Sequence, residues 1–176
     1  MVYSRKMYGR FYQFDVRRAA WMSILSGACA GITYGAHGVY SWHKVGKSFG
    51  KLLGEGFDRP NPWNDAVKYP GAWDYGYIKY LFEIYGIDEL KPIDRILNNT
   101  KDIRMAGTPK LDKILIYVPV NTTLNVDMDL KKYDIKVIDL TSKNVCIPNV
   151  DFFNGKTKIY MHNFERDVLI IARNNG

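Results

Sequence analysis

Residues 31–42 read GITYGAHGVYSW, and residues 16–28 just before them read VRRAAWMSILSGA. In the 16–28 stretch, Val16, Ala20, Trp21, Ile24, Leu25 and Ala28 recur at the spacing of one helical stripe. Asp15 is placed to cap that helix, because its carboxylate can accept from the free amides of the first turn. Gly27 and Gly31 bracket the helix end. The 31–42 stretch predicts a buried strand over Thr33–Tyr40, with Gly35 and Gly38 marking a bulge or a close backbone approach. A helix feeding a buried strand is part of a parallel α/β fold.

Working outward, Ser41–Tyr69 reads as a long loop centred on GEGFDRPNPW. Connections of that length are uncommon unless they bind something. Pro70 and Gly71 open a second helix, on which Trp73, Tyr77, Tyr80, Leu81 and Ile84 form the apolar stripe and Gly86 is the stop. That makes one and a half βα units. A closed eight-fold barrel needs roughly 250 residues. Either these units pack onto the C-terminal half of the chain, or the rest of a barrel lies upstream of Met1.

Past Pro92 the texture changes. Short apolar or alternating runs recur at Ile103–Met105, Ile114–Val118, Leu124–Val126, Ile135–Leu140, Val145–Ile147, Ile159–Met161 and Val168–Ala172. Turn residues such as Pro119–Asn121 and Asn154–Gly155 separate them. This spacing predicts a small antiparallel β-sandwich. The expected fold class is therefore α/β plus all-β, with one domain over 1–92 and a sandwich over 93–176.

The net charge of +7 is uneven. Residues 1–52 hold eight Lys or Arg and one acid, Asp15, whereas the remainder balances 17 basic against 17 acidic residues. The excess suits a polyanion, or half of a charge pattern whose other half lies elsewhere. Nucleic-acid binding finds no helix-turn-helix pattern, metal spacing or RNA-binding aromatic motif to support it. No run approaches the ~20 apolar residues of a membrane span. Cys29 and Cys146 offer neither a disulfide framework nor a metal set and read as two buried thiols. No cofactor motif is present. The 13 tyrosines suit stacking on carbohydrate, and equally a β-rich core.

The ordered set Arg17 or Arg18, Gly27, Tyr34–Gly38, Trp42, Trp63 and Pro70–Ala72 resembles the C-terminal part of the apiosidase-like glycoside hydrolases. The likeness is good over about residues 14–119. It implies the last units of a (β/α)8 barrel with an appended sandwich. It makes residues 15–28 the seventh barrel helix, Thr33–Tyr40 the eighth strand and Trp73–Tyr85 the eighth helix. Active sites of such barrels lie at the C-terminal ends of the strands. His37, Tyr40, Trp42 and His43 are thereby placed at the rim as substrate-binding residues for an oligo- or polysaccharide. The resemblance further implies a plant-type substrate and a secreted or periplasmic parent, and the basic excess suits a polyanionic pectic one.

Glycoside hydrolysis ordinarily uses two carboxyl groups flanking the bond. In the resembling family both precede the seventh helix, and residues 1–14 hold no Asp or Glu. Asp15 has a capping role available, and Glu55 and Asp58 read as solvated loop charges. No catalytic residue is therefore assigned, and the expectation is a chain inactive by itself. Arg17 and Arg18 sit where a cation opposes the helix dipole, so at least one is expected to have an acidic partner upstream. His37 reads either as a donor to a sugar hydroxyl or as a packed ring between strand and helix. Trp42 reads as a sugar platform or a core contact, and Trp63 as structural. The competing function is a non-catalytic carbohydrate-binding or interaction module over 95–176. A partial barrel would expose an apolar edge, predicting poor solubility, self-association or assembly with a missing half.

Overall fold

The computed structural model describes residues 11–48 and 60–174. Glu55, Asp58 and the centre of the long loop lie outside the described residues. Three helices come first: α1 (Gln13–Leu25), α2 (Trp63–Ala66) and α3 (Pro70–Tyr85). Nine strands follow: β1 (Lys91–Pro92), β2 (Arg104–Gly107), β3 (Lys113–Val118), β4 (Leu124–Val126), β5 (Asp134–Asp139), β6 (Val145–Cys146), β7 (Val150–Phe153), β8 (Lys156–Ile159) and β9 (Val168–Arg173). The chain divides into two compact units. One comprises Met1–Arg17 and Ile32–Leu81, and the other Arg18–Gly31 and Phe82–Gly176.

Helix α1 begins three residues earlier than its apolar stripe suggested. Asp15 is not the cap but the third helical residue, and its carboxylate accepts from the Tyr12 N–H at 2.9 Å. It thus reaches back to the cap residue, as the acidic member of a capping box does. Both long helices stop where glycine takes positive φ, at Gly27 (+94°) and Gly86 (+56°). Ala28 N–H donates to the Ser23 carbonyl and Gly27 N–H to that of Ile24. Ile87 N–H to Phe82 and Gly86 N–H to Glu83 repeat the pattern. These are paired Schellman bonds that satisfy the last carbonyls of each helix.

In the first unit, α3 buries Gly71, Asp74 and Ile78, with Leu81 a turn further on. Of the stripe read from hydropathy, Leu81 is buried as expected, whereas Trp73 is 72% exposed and Tyr80 and Ile84 about half. The inward face joins the apolar Ile78 and Leu81 to the charged Asp74. Arg17 Nη1 donates to Asp74 Oδ2 at 2.9 Å, both side chains being 2% exposed. Gln13 Nε2 donates to the same oxygen at 3.0 Å. Gly71 leaves room for Tyr34 and Val16, which would be 3.4 Å from a Cβ placed there.

The second unit carries two antiparallel sheets. The larger has the order β1-β2-β3-β9-β5-β6 and the smaller β4-β8-β7. Between them lies the core. Ile114, Ile116 and Val118 of β3 and Val168, Ile170 and Ala172 of β9 meet Leu124, Val126 and Ile159 from the smaller sheet. The alternate residues Leu115, Tyr117, Leu169 and Ile171 are buried too. Burial on both faces explains why ILIYV and VLIIA run apolar without alternation. Within this unit Trp21 is fully buried and lies 6.4 Å from the Phe82 ring.

The seven strand runs expected after residue 92 all correspond to strands, the run at Ile159–Met161 being displaced to β8. Two more were missed, β1 and β7. Strand β7 pairs Phe153 with Lys156 across a two-residue loop. Asn154 and Gly155 there have φ of +48° and +73°. Positive φ at both central residues is the type I′ turn whose twist suits a hairpin.

The expected strand over Thr33–Tyr40 is not formed. Residues 31–36 have no ladder partner and 37–42 are turns. A strand needs neighbours for its N–H and C=O groups, and no described residue pairs with this segment. The cysteines also depart from expectation: Cys29 is exposed and Cys146 only half-buried. Burial still pushes the Cys146 thiol pKa up. No described helix is long and apolar enough to cross a membrane.

Candidate functional site

The aromatic and histidine side chains read from GITYGAHGVYSW lie on a looped turn rather than on a strand end. Val39 N–H donates to the Ala36 carbonyl at 2.8 Å, Trp42 N–H to Val39 at 3.1 Å, and His43 N–H to Gly38 at 3.0 Å. Gly38 is required for this path. Its φ is +120°, and a Cβ there would stand 2.1 Å from the Asn61 carbonyl oxygen. The loop is thus pressed against the segment leading into α2. A further bond ties the two, from Trp63 N–H to the His43 carbonyl at 2.8 Å. Tyr34 OH donates to the Ala66 carbonyl at 3.1 Å. Burial, with the nearby Tyr69 adding to it, raises the Tyr34 pKa. Tyr34 also meets Tyr75 edge-on at 5.9 Å.

Two stacked ring pairs result. His37 and Tyr40 lie 5.4 Å apart and 12° from parallel. Trp42 and Trp63 lie 4.3 Å apart and 9° from parallel. In each pair one ring is outward: Tyr40 is 54% and Trp42 58% exposed, while His37 and Trp63 are half-buried. Trp42 has φ +50°. A bulky residue in the left-handed region is a backbone outlier and costs about 1–2 kcal/mol.

Of the four residues read as a sugar-binding rim, Tyr40 and Trp42 lie on this turn as exposed side chains and His37 as a half-buried one. His43 joins them differently. It is 6% exposed, and its backbone holds Gly38 and Trp63 beneath the rings. Trp63, read as structural, is the partner that sequence reasoning did not foresee in this role. Lys44 and Lys47 follow Trp42 in the chain and are exposed.

Two of the three carboxylates described in this unit are occupied otherwise, and the third, Asp65 on α2, is exposed. Asp15 closes the start of α1 and Asp74 is buried against Arg17 and Gln13. Arg18 pairs with Asp102 at 2.8 Å in the second unit. The expectation of an upstream acidic partner is therefore corrected. Arg17 and Arg18 both find their carboxylates downstream, because Asp74 and Asp102 fold back onto α1. Among the described residues no group of three His, Cys, Asp or Glu could hold a metal.

Residues 2–88 match the family described as Apiosidase-like, catalytic domain. The fold matches part of a solved "Glycoside hydrolase" at a TM-score of 0.73 and 22% identity, over 94% of this chain and 37% of that one. The chain thus spans little more than a third of that hydrolase's length. No curated protein matches it in sequence. Residues 2–88 are thus similar to an apiosidase-like catalytic domain, and the chain shares the fold of part of that solved structure.

Proposed function

We propose that this chain is the C-terminal portion of a glycoside hydrolase acting on a plant-type, pectic polysaccharide. On this reading residues 1–92 belong to the last units of a (β/α)8 barrel and 93–176 are the accessory sandwich. The chain keeps the sugar-recognising wall and lacks the catalytic carboxylates. The observation that carries the reading is Trp42: a 58% exposed indole held in a strained backbone. Strain of this sort persists only where the surroundings over-determine it, and it clusters at functional sites. An exposed ring face offers a sugar its C–H edge contacts. Tyr40 and His37 supply a second ring pair, and the amides and carbonyls of the same loop are spent on fixing it.

The exposed Lys44 and Lys47 support an acidic substrate such as a galacturonan, since the basic excess then has a use on the chain itself. The commitment of Asp15 and Asp74 to structure leaves Asp65 the single uncommitted carboxylate described in this unit, which supports the lack of a catalytic pair. Trp73, Tyr80 and half-exposed Ile84 leave an apolar face on α3, which supports self-association or assembly with further barrel units.

Titration calorimetry of the 176-residue chain with oligogalacturonides and neutral plant oligosaccharides tests the binding wall. Saturable heat that Trp42→Ala removes is the expected result. No heat across the panel overturns it. A pectic-oligosaccharide hydrolysis assay tests the missing chemistry, and turnover abolished by Glu55→Gln would show that the chain carries its own carboxylate.

A further inference from the structure

We propose that Trp63 is the positioning residue for Trp42, covering one face of its indole so that the other becomes a preorganised platform for a single sugar ring. The inference rests on the sugar-site reading and adds to it the element that makes the platform rigid and one-sided.

Three observations carry it. First, the two indoles are in stacking contact and nearly parallel, at 4.3 Å and 9°. One face of Trp42 is therefore taken. With 58% of the residue still exposed, the open area is the opposite face and the edge. A sandwich of sugar between the two tryptophans is excluded, since the rings already touch. Second, Trp42 is held at φ +50°. Left alone, a tryptophan would leave that region and carry its ring elsewhere. The bonds of Trp42 N–H to Val39 and of His43 N–H to Gly38 shape the turn, but neither fixes the ring. Among the described residues, the stack with Trp63 is a contact that holds the ring itself. Third, Trp63 is itself anchored. Its N–H donates to the carbonyl of His43, the residue after Trp42, at 2.8 Å. Its carbonyl accepts from Val67 N–H at 3.0 Å within the α2 turn. Ring and backbone of Trp63 thus grip the same turn at adjacent residues.

The consequence is preorganisation. A surface indole free to rotate loses side-chain freedom on binding, and that loss subtracts from affinity. A ring already backed by a second ring has lost it before the sugar arrives. Trp63 would then raise affinity without touching the ligand.

The test compares Trp63→Ala, Trp63→Phe and Trp42→Ala in the 176-residue chain, with tetragalacturonate, xylohexaose and cellohexaose as probes. Binding is followed by calorimetry. The far-ultraviolet exciton couplet of two stacked indoles is recorded separately, without sugar. For whichever probe the wild type binds, Trp63→Ala is expected to weaken binding about tenfold, to lose the couplet and to make the remaining tryptophans more open to quencher. Trp63→Phe, which restores a flat backing ring, is expected to return affinity to within about threefold of wild type. Wild-type affinity in Trp63→Ala, beside a Trp42→Ala that no longer binds, overturns the positioning role and leaves the sugar site standing. Equal weakening by Ala and Phe overturns it as well, since the ring would then not be what matters. If the wild type shows the couplet but binds no probe, the sugar-site reading fails and the platform fails with it. If Trp63→Ala does not fold, the Phe variant and the wild-type couplet still decide between these outcomes.

Discussion

The central strands of the sandwich and the segment Gly31–Trp42 are both apolar and aromatic stretches, yet they are held by opposite means. Strand β3 is paired along its length, to β2 on one side and β9 on the other. Its residues Ile114 to Tyr117 are fully buried. The loss of any one contact is shared among many. Residues 31–42 have no ladder. They depend on particular contacts, among them a glycine against a carbonyl, two stacked ring pairs and one bond from Trp63 to His43. Distributed contacts make a scaffold insensitive to detail. Point contacts make a geometry that no regular element provides, at the cost of dependence on single residues.

The largest expected effect breaks the first unit at the buried ion pair of Arg17 and Asp74. Asp74→Ala leaves Arg17 charged, 2% exposed and without its Asp74 bond, and removes the Gln13 bond with it. Breaking such a pair from one side costs about 3–5 kcal/mol. Urea unfolding should show a loss in that range. A loss below about 1 kcal/mol would mean that Arg17 reaches water and that the pair is not a fixed point of α1 and α3.

The same contrast explains what could be read in advance. Central strands were legible because ILIYV and VLIIA have no use except burial. The helix stops were legible because Gly27 and Gly86 supply the positive φ that a Schellman end requires. Strand β7 was not, since VDFF alternates poorly and most of it is exposed. Its hairpin signal, Asn154–Gly155, was in plain view and called for a strand immediately before it. The face of α3 was misread because hydropathy points to Trp73 and Tyr80, whereas Asp74 turns inward to meet Arg17. In the site, the rings themselves were legible. The turn was not, because small and aromatic residues in a row look extended until the partners of their amides are known. Trp63 was legible as an aromatic but not as a partner. It stands 21 residues beyond Trp42 with no periodicity linking the two.

A smaller effect is expected at Gly38. Gly38→Ala places a Cβ against the Asn61 carbonyl and forces an L-residue to φ +120°. Strain of this kind costs on the order of 1–3 kcal/mol. Gly38 belongs to the first unit and the strands to the second, so β-sheet circular dichroism should be unchanged while the indole couplet is lost. An unaltered couplet would show that the turn tolerates another path.

Trp42→Gly separates stability from function. Glycine relieves about 1–2 kcal/mol of left-handed strain, and the lost stack forfeits about 0.5–1.5 kcal/mol. The two offset, so stability should stay within about 1 kcal/mol of wild type while saccharide binding disappears. A large destabilisation would make Trp42 a packing residue and weaken the case for a platform.

The smallest effect asks whether the sandwich has a point contact of its own. His162 Nδ1 accepts the Phe164 N–H at 3.0 Å, which requires that nitrogen unprotonated. Burial lowers the His162 pKa below its ordinary 6.5, with the charge of Asp139 opposing in part. The folded form then binds a proton less readily than the unfolded one. The contribution is complete above the ordinary value and is lost as pH falls through the depressed one. Thermal melts taken on either side of pH 6.5 should show wild type losing stability toward acid more steeply than His162→Asn, which cannot charge. Parallel curves would mean that the bond to Phe164 carries no weight. The sandwich would then be held by distributed contacts to its rim, and the division between the two regions would be sharper still.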